Sequence, residues 1–355
     1  MATGEAALEE LLRALAEKAP AADADPAWPA ESWQLLRRAG VLAWSIAPEY
    51  GGQGRQGVDL LEGYERLAGA CLTTCFILSQ RDAACRRLRD SGHEKLCREL
   101  LPPLARGERF VTVGLSQLTT SRQHVKPVLV ARESNGSLVL DGMMPWVTGA
   151  ERADHFVTGA VLEDGRQVLA ALPRDLQGVS VQPPLPLMAL QGSLTAEVRC
   201  AGAVLERRWL LAGPAERVMA GGRGGTGGLE TSCLALGLAG AAIDHVNQEA
   251  RARPELQAGS LRLEQARQRV RKELHELAQT GATPEAAAAL RARANALVLR
   301  ATQTALTASK GSGFLRSHPA QRWARQALFF LVWSCPRPAA EQTLAYLTPV
   351  GECEL

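Results

Sequence analysis

The first third of the chain repeats apolar residues at the spacing of α-helices. Residues 5–19 form one amphipathic stripe, and residues 31–40 form a second that ends at Gly40, a residue suited to the end of a helix. A long apolar pattern over 58–80 predicts another helix, and residues 85–106 predict a helix pair. The sequence therefore predicts an N-terminal helical region.

The pattern changes to short extended runs from Phe110 onward. Leu138-Val139-Leu140 is an apolar run, Asp141-Gly142 is a dipeptide typical of tight turns, and Trp146-Val147-Thr148 resumes extended character. Phe156-Val157-Thr158 begins another strand, so residues 137–160 predict an antiparallel meander. Further strands are predicted over 168–172, 178–181 and 196–200.

Helical patterns return in the last third of the chain, over 229–248, 261–279, 284–310 and 321–332. Four such stretches suit an antiparallel bundle. The glycine run 221–228 favours a flexible link over a phosphate cradle, because no Lys-Ser/Thr pair follows it. We therefore predict an α+β chain, mostly α, with an N-terminal helical domain at 1–109, a β domain at 110–215 and a C-terminal bundle at 216–355.

Composition narrows the classes of function. The 355 residues carry 40 basic and 37 acidic side chains, a net charge of +3 that is too balanced to predict nucleic-acid binding. No apolar run approaches the ~20 residues of a membrane span. The eight cysteines show no Cys/His cluster with zinc-ligand spacing, so we predict no metal site. Reduced thiols and the lack of an apolar signal segment predict a cytoplasmic protein.

Three separated motifs resemble the acyl-CoA dehydrogenase family in order and spacing. Pro48-Glu49-Tyr50-Gly51-Gly52-Gln53-Gly54 is similar to a glycine loop after an N-terminal helix, and Trp146-Val147-Thr148 with Ala153-Asp154 resembles the middle domain. Lys310-Gly311-Ser312-Gly313-Phe314, followed by His318-Pro319 and Arg325-Gln326-Ala327, resembles a C-terminal motif, with Lys310 replacing a Gly and Gln326 replacing an Asp. The resemblance implies a middle antiparallel β-barrel between an N-terminal helical domain and a C-terminal four-helix bundle.

The resemblance also implies FAD as cofactor and assigns residues to it. Trp146 would pack on the flavin ring, Thr148 would hydrogen-bond near its reactive nitrogen, and Val147 lies between them. Ser116 falls where the family has a Thr that meets the flavin, with Gln117 on a Glu. For Trp146 and Thr148 the alternative is an ordinary core aromatic and an ordinary strand residue.

The resemblance also implies contacts to the parts of the cofactor beyond the flavin ring, from residues that match the family motifs only in part. Gly311 and Gly313 would touch the diphosphate-ribityl portion, often from a neighbouring subunit, through backbone N–H groups. Arg253 and Gln265 are what remains of a family motif that helps to hold the diphosphate. Arg122 stands in a loop where the family's Gly-Ser-Asp is replaced, and is either a substrate or phosphate contact or a solvated side chain.

The expected catalytic base is the main departure from the family. Trp333-Ser334-Cys335-Pro336 stands where the family has Tyr-Glu-Gly-Thr, so Ser334 takes the position of the Glu. A serine hydroxyl without a partner base does not abstract an α-proton near neutral pH. Some family members carry the Glu at the start of the first C-terminal helix, a position that aligns near Gly227. Glu230 is therefore the alternative base, or else a helix N-terminal carboxylate favoured by the dipole.

These residues lead to three hypotheses. The first is an acyl-CoA dehydrogenase-like, FAD-dependent oxidoreductase of fatty acid metabolism that acts on CH–CH groups of an acyl-CoA or acyl-carrier thioester. It would work as a homodimer or homotetramer with an electron-transfer partner or a flavin reductase. The second is a flavin-dependent monooxygenase on the same fold, favoured by Ser334. The third is a cofactor-less scaffold, favoured by the degraded loop motifs.

Overall fold

The N-terminal region is helical in the computed structural model, which describes residues 2–119, 128–219, 228–335 and 337–348. Its helices are α1 (Ala2–Ala24), α2 (Ala30–Arg38), α3 (Gly57–Ala70), α4 (Leu72–Asp90) and α5 (Glu94–Ala105). Gly40 has a left-handed backbone, as its predicted role at the end of a helix requires. Helix α1 runs through Pro20 and is longer than the apolar stripe predicted.

The single helix predicted over 58–80 is wrong, because the chain breaks at Cys71. That residue has extended dihedral angles, φ −149° and ψ 98°, and separates α3 from α4. A Cβ on Gly69 would lie 3.1 Å from the carbonyl oxygen of Gly237, so α3 ends where another backbone approaches it closely. Local helix propensity does not register such a tertiary contact.

The middle region forms an eight-stranded sheet within the described residues. Its elements are β1 (Val111–Gly114), α6 (Ser116–Thr119), β2 (Leu129–Ser134), β3 (Ser137–Val147), β4 (His155–Leu162), β5 (Gln167–Pro173), β6 (Val179–Pro184), β7 (Ala196–Glu206) and β8 (Leu210–Ala215). The order is β6-β7-β3-β2-β4-β5-β8, with β1 beside β4. Most pairings are antiparallel, but β1 and β2 each pair with β4 in parallel.

The turn predicted at Asp141-Gly142 is wrong, because β3 continues through it. The register against β7 shifts between Leu140 and Gly142, which marks a β-bulge. Gly142 has φ 121°, and a Cβ there would lie 2.1 Å from the carbonyl oxygen of Val128. The hairpin turn is instead Asn135-Gly136, both with positive φ, between β2 and β3.

His155 opens β4, and its burial couples folding to pH. Its ring lies 5.0 Å from the Trp209 ring, and burial lowers the pKa of His155, with the nearby Asp154 opposing that shift. The unfolded chain has a histidine pKa of about 6.5, so it binds more protons than the folded chain below that pH. The free energy of unfolding should therefore fall as pH drops below about 6.5. Urea titrations at several pH values should show a shallower fall for His155→Phe, and an identical fall would contradict this.

The C-terminal region contains α7 (Leu229–Ala250), α8 (Gln257–Thr280), α9 (Pro284–Ala308), α10 (Pro319–Phe329) and α11 (Arg337–Leu347). The first four correspond to the predicted bundle, and α11 was not predicted. The glycine run is outside the described residues except for Gly228, which precedes α7. Among the described helices, none has the length and apolar character needed to cross a bilayer.

Gly237 sets the distance between the N-terminal helices and the bundle. It lies in α7, and a Cβ there would be 2.2 Å from the backbone oxygen of Glu65 in α3. Gly237→Ala should therefore lower the free energy of unfolding by about 1–3 kcal/mol, although alanine is the better helix former. Gly259→Ala in α8 is the control, because a Cβ there meets nothing within 4 Å, and should stabilise by up to about 1 kcal/mol. Denaturant titration distinguishes these outcomes, and equal effects would contradict the close packing.

Candidate functional site

A cavity of about 630 Å³ lies where the N-terminal helices, the sheet and the C-terminal bundle meet. One face of α4 forms its first wall, from Phe76 through Gln80 to Arg86 and Arg87. The second wall comes from α6 and from residues in or next to β3 and β7, which bring three hydroxyl groups and an indole ring: Ser116, Trp146, Thr148 and Thr195. The third wall comes from the start of α7 and from residues 328–334 around the end of α10. All three regions of the chain thus contribute side chains to one space.

Ser116 brings an unsatisfied hydroxyl to the cavity. It opens the short helix α6 directly after β1, and its Oγ is buried with no hydrogen-bond partner among the described residues. Gln117 fixes this turn, because its amide donates to the carbonyls of Gly114 and Gly159 and to Oγ1 of Thr158. Buried hydroxyls are normally partnered, so Ser116 is suited to a ligand that accepts or donates a hydrogen bond.

Two residues of the predicted cofactor-binding segment reach the cavity, and the third does not line it. Trp146 is 50% exposed, which is unlike a core aromatic residue. Thr148 is buried, with its Oγ1 3.4 Å from Oγ1 of Thr195. Val147 is fully buried in the core, because side chains alternate between the faces of β3.

Glu230 contributes a carboxylate to the lining of the same cavity. It lies in the first turn of α7, and its Oε1 is 3.1 Å from Nη2 of Arg86 in α4. The side chain is 31% exposed. Glu230 therefore faces the positive end of its own helix, as its local sequence predicts, and also forms an ion pair with the neighbouring α4 wall.

Ser334 also lines the cavity, just beyond α10. It has a left-handed backbone with φ 43°, unusual for a non-glycine residue. Buried Arg291 holds the preceding turn, because its Nη2 donates to the carbonyls of Phe330 and Trp333, each at 3.0 Å. Burial lowers the pKa of Arg291 to about 9. Sequence reasoning missed this arginine, since nothing local to α9 distinguishes it from a solvated side chain.

The predicted glycine contacts lie apart from the residues that line this cavity. Gly311 and Gly313 belong to a short 3-10 helix, Lys310–Phe314, that follows α9. Lys310, where the resemblance expects glycine, has φ 51°. A Cβ on Gly311 would meet nothing within 4 Å, so its backbone is open to approach. Arg122 lies outside the described residues.

A second groove, of about 950 Å³, runs between α8 and α9. Arg253 and Gln265 both line it, as does a row of further guanidinium groups: Arg262, Arg269, Arg293 and Arg300. Some are already engaged, since Arg253 contacts Glu249 and Glu255. The groove is nevertheless basic along its length, which suits a phosphate-bearing ligand.

Asp23 connects α1 to the cavity wall and was missed by sequence reasoning. It is 1% exposed and accepts hydrogen bonds from the backbone N–H of Leu190, from Arg325 and from Gln326, at 2.8, 2.8 and 2.9 Å. Arg325 also donates to the carbonyl of Met188 and lines the cavity. Gln326 stands where the resemblance expects Asp, and Asp23 supplies a carboxylate to this pair from a distant part of the sequence. In the sequence, the replacement of the expected Asp by Gln326 was the signal that could have pointed to this carboxylate.

No group of three or more His, Cys, Asp or Glu side chains within the described ranges is placed to hold a metal ion. Six cysteines in the described ranges are buried and carry free thiols: Cys71, Cys75, Cys85, Cys97, Cys200 and Cys233.

Comparison with known proteins agrees with this arrangement. The family model described as "Acyl-CoA dehydrogenase, N-terminal domain" matches residues 4–108. The probable acyl-CoA dehydrogenase YngJ of Bacillus subtilis is 24% identical over 326 residues, which cover 84% of each chain.

Solved structures share the fold over nearly the whole chain. A glutaryl-coenzyme A dehydrogenase in complex with glutaryl-CoA aligns with a TM-score of 0.86 and 17% identity, covering 98% of this chain and 95% of that one. A prolyl acyl carrier protein oxidase, AnaB, aligns with a TM-score of 0.82 and 16% identity, covering 96% and 98%. The N-terminal region thus matches the acyl-CoA dehydrogenase family model, and the whole chain is similar in sequence to a probable acyl-CoA dehydrogenase and shares the acyl-CoA dehydrogenase fold.

Proposed function

We propose that the protein is an FAD-dependent oxidoreductase that dehydrogenates an acyl thioester across a CH–CH bond within the 630 Å³ cavity. One observation carries this proposal: Ser116, Trp146 and Thr148 face the same space as the carboxylate of Glu230. Dehydrogenation requires a cofactor surface and a base on either side of the substrate. The cavity offers polar groups and an aromatic ring on one wall and a carboxylate on another.

The residues present fit a flavin. The orphaned Ser116 hydroxyl is a hydrogen-bonding group in need of a partner, and Trp146 offers an exposed aromatic face for ring packing. Thr148 adds a second hydroxyl beside them. The basic groove with Arg253 and Gln265 would hold the diphosphate, and Gly311 the neighbouring portion, within a homodimer or homotetramer. FAD, when bound, supplies the acceptor for the hydride that leaves the β-carbon.

The chain's own residues account for the proton. Glu230 takes the proton from the α-carbon, and the electron pair of that C–H bond forms the new double bond as the β-hydride leaves. The ion pair with Arg86 fixes the orientation of the carboxylate. Phe76, Phe329 and Trp333 pack in edge and stacked geometries beside the cavity, with ring centroids 4.9–5.0 Å apart. They form an apolar wall that excludes water from the acyl group.

Product analysis tests this reaction directly. The FAD-reconstituted protein should convert saturated acyl-CoA or acyl-carrier thioesters, with an artificial electron acceptor, into products lighter by two hydrogen atoms in mass spectrometry. Conversion by the protein prepared without FAD would contradict the flavin's role. Protein that binds FAD but yields no enoyl product from any thioester would overturn the proposal. In the cell, an electron-transfer partner would take the place of the artificial acceptor. The cytoplasmic location of the protein stays a prediction.

A monooxygenase is the second candidate, because Ser334 replaces the usual base and Glu230 is engaged by Arg86. Such an enzyme meets oxygen with a reduced flavin and requires no α-proton base. It would yield a product heavier by one oxygen atom, only with oxygen and a flavin reductase. A cofactor-less scaffold predicts neither product and no retention of FAD on gel filtration, an outcome that the orphaned Ser116 hydroxyl disfavours.

A further inference from the structure

A second carboxylate, Asp82, lies near the arginine that pairs with Glu230. Asp82 is fully buried and precedes Arg86 by four residues on α4, so the two side chains share one face of the helix. Its Oδ1 accepts a hydrogen bond from Nη1 of Arg81 at 2.5 Å, and its Oδ2 accepts one from the hydroxyl of Tyr64 at 2.6 Å. Each oxygen of this buried carboxylate therefore has a donor.

Tyr64 reaches this carboxylate from α3 and is itself fully buried. Burial raises the pKa of Tyr64 well above its ordinary value, with Asp82 adding to the shift and Arg86 opposing it. The phenol is therefore protonated near neutral pH. A tyrosine hydroxyl has one proton to donate, and in this structure Asp82 receives it.

Arg86 has two carboxylates in its surroundings and forms an ion pair with one of them. Its Nη2 lies 3.1 Å from Oε1 of Glu230, while its Nη1 is buried with no hydrogen-bond partner among the described residues. Burial acts to lower the pKa of Arg86, but its acidic neighbours raise it overall: Glu230, Tyr64 and Asp82. Asp82 is thus close enough to compete with Glu230 for this guanidinium.

We propose that Tyr64 is a positioning residue for the carboxylate of Glu230. By donating to Oδ2 of Asp82, the Tyr64 hydroxyl leaves the Arg86 guanidinium to pair with the carboxylate in the cavity. Without that hydroxyl, Oδ2 of Asp82 would be a buried charged oxygen that lacks a donor, which is unfavourable. Arg86, one turn along the same helix, would then turn to Asp82 and release Glu230. This inference rests on the proposed function, in which Glu230 is the base.

The crystal structure of Tyr64→Phe tests this exchange of partners without turnover. The substitution keeps the buried ring and removes only the hydroxyl. The Arg86 guanidinium should then lie within about 4 Å of Oδ2 of Asp82, the distance of an ion pair, and should no longer contact Glu230. Tyr50→Phe is the matched control, because Tyr50 ends the short 3-10 helix Pro48–Tyr50 and is not among the residues that line the cavity. A Tyr64→Phe structure that keeps the Arg86–Glu230 ion pair overturns the inference.

The kinetics of flavin reduction separate positioning from a purely structural role. At saturating thioester, Tyr64→Phe should lower the limiting rate of reduction by about tenfold or more, because the base is no longer oriented. The dissociation constant of the thioester should change by less than about twofold. In an Arg86→Gln background, Tyr64→Phe should alter the rate by less than about twofold, since the residue through which it acts is already absent. An equal loss of rate in both backgrounds contradicts the inference.

The outcomes distinguish this inference from the proposed function. If Glu230→Gln suppresses flavin reduction but Tyr64→Phe reduces flavin at the wild-type rate, the inference fails and the proposed function stands. If no thioester reduces the flavin of the wild-type protein, the proposed function fails. In that case, movement of Arg86 to Asp82 in the Tyr64→Phe crystal structure still supports the placement of Glu230 by Tyr64, and an unmoved Arg86 overturns it as well.

Discussion

Glu230→Gln is expected to slow the reduction of bound flavin by an acyl thioester by about 10²–10⁴-fold, the usual contribution of a positioned base. The amide keeps the size of the side chain but accepts no proton. Stopped-flow absorbance under anaerobic conditions measures this rate. Glu108→Gln, an exposed carboxylate paired with Arg106, is the matched control and should leave the rate within about twofold of wild type, an effect below about 0.4 kcal/mol.

Two further measurements make the Glu230 result specific to catalysis. Glu230→Gln also leaves Arg86 without its ion-pair partner, so flavin affinity and the free energy of unfolding must be measured beside the rate. Ser334→Glu in the Glu230→Gln background should recover part of the lost rate, since position 334 lines the same cavity. An unchanged rate in Glu230→Gln would remove this residue as the base.

Asp23→Ala is expected to lower the free energy of unfolding by about 1–3 kcal/mol, the cost of leaving buried hydrogen-bond donors without their acceptor. The substitution leaves the Arg325 guanidinium, the Gln326 amide and the Leu190 N–H without their common acceptor. Urea denaturation of the isolated variants measures the change. Asp25→Ala, two residues along the chain and exposed, should change stability by no more than about 0.5 kcal/mol.

The Asp23 network also reaches the cavity, so its loss should have a second consequence. Arg325 lines the cavity and is held by Asp23 and by the carbonyl of Met188. Asp23→Ala should therefore weaken ligand binding as well as stability. Equal stability losses in Asp23→Ala and Asp25→Ala would contradict the role of this network.

The order and type of the major helices and strands could be predicted from the sequence because they depend on the periodicity of apolar residues. The bundle helices and the strands at 168–172 and 178–181 follow from apolar spacing alone. The breaks were harder to predict. Cys71 interrupts an unbroken helical pattern two residues after Gly69, which meets the backbone of another helix, and Gly142 makes a bulge inside a strand instead of a turn. Both depend on a neighbour distant in sequence.

The candidate site also contains residues that could be predicted from the sequence and residues that could not. Ser116, Trp146, Thr148, Glu230 and Ser334 follow from motif spacing, and they line one cavity. The charged groups around them do not follow from local sequence: the arginines of α4 look like a solvated run until the fold turns them inward. The carboxylate missing at 326 reappears at Asp23, on a helix some 300 residues away, as the separation of 303 between them records. Pairwise compensation of this kind appears only when the fold is known.

The anaerobic visible spectrum of the FAD-reconstituted protein, recorded before and after addition of a panel of acyl-CoA thioesters, tests the central claim most directly. The panel includes acyl groups of several chain lengths. If the cavity holds flavin and dehydrogenates thioesters, at least one of them should bleach the flavin band, and Glu230→Gln should suppress the bleaching. A protein that retains FAD with a spectrum unchanged by every thioester would contradict the proposed dehydrogenation.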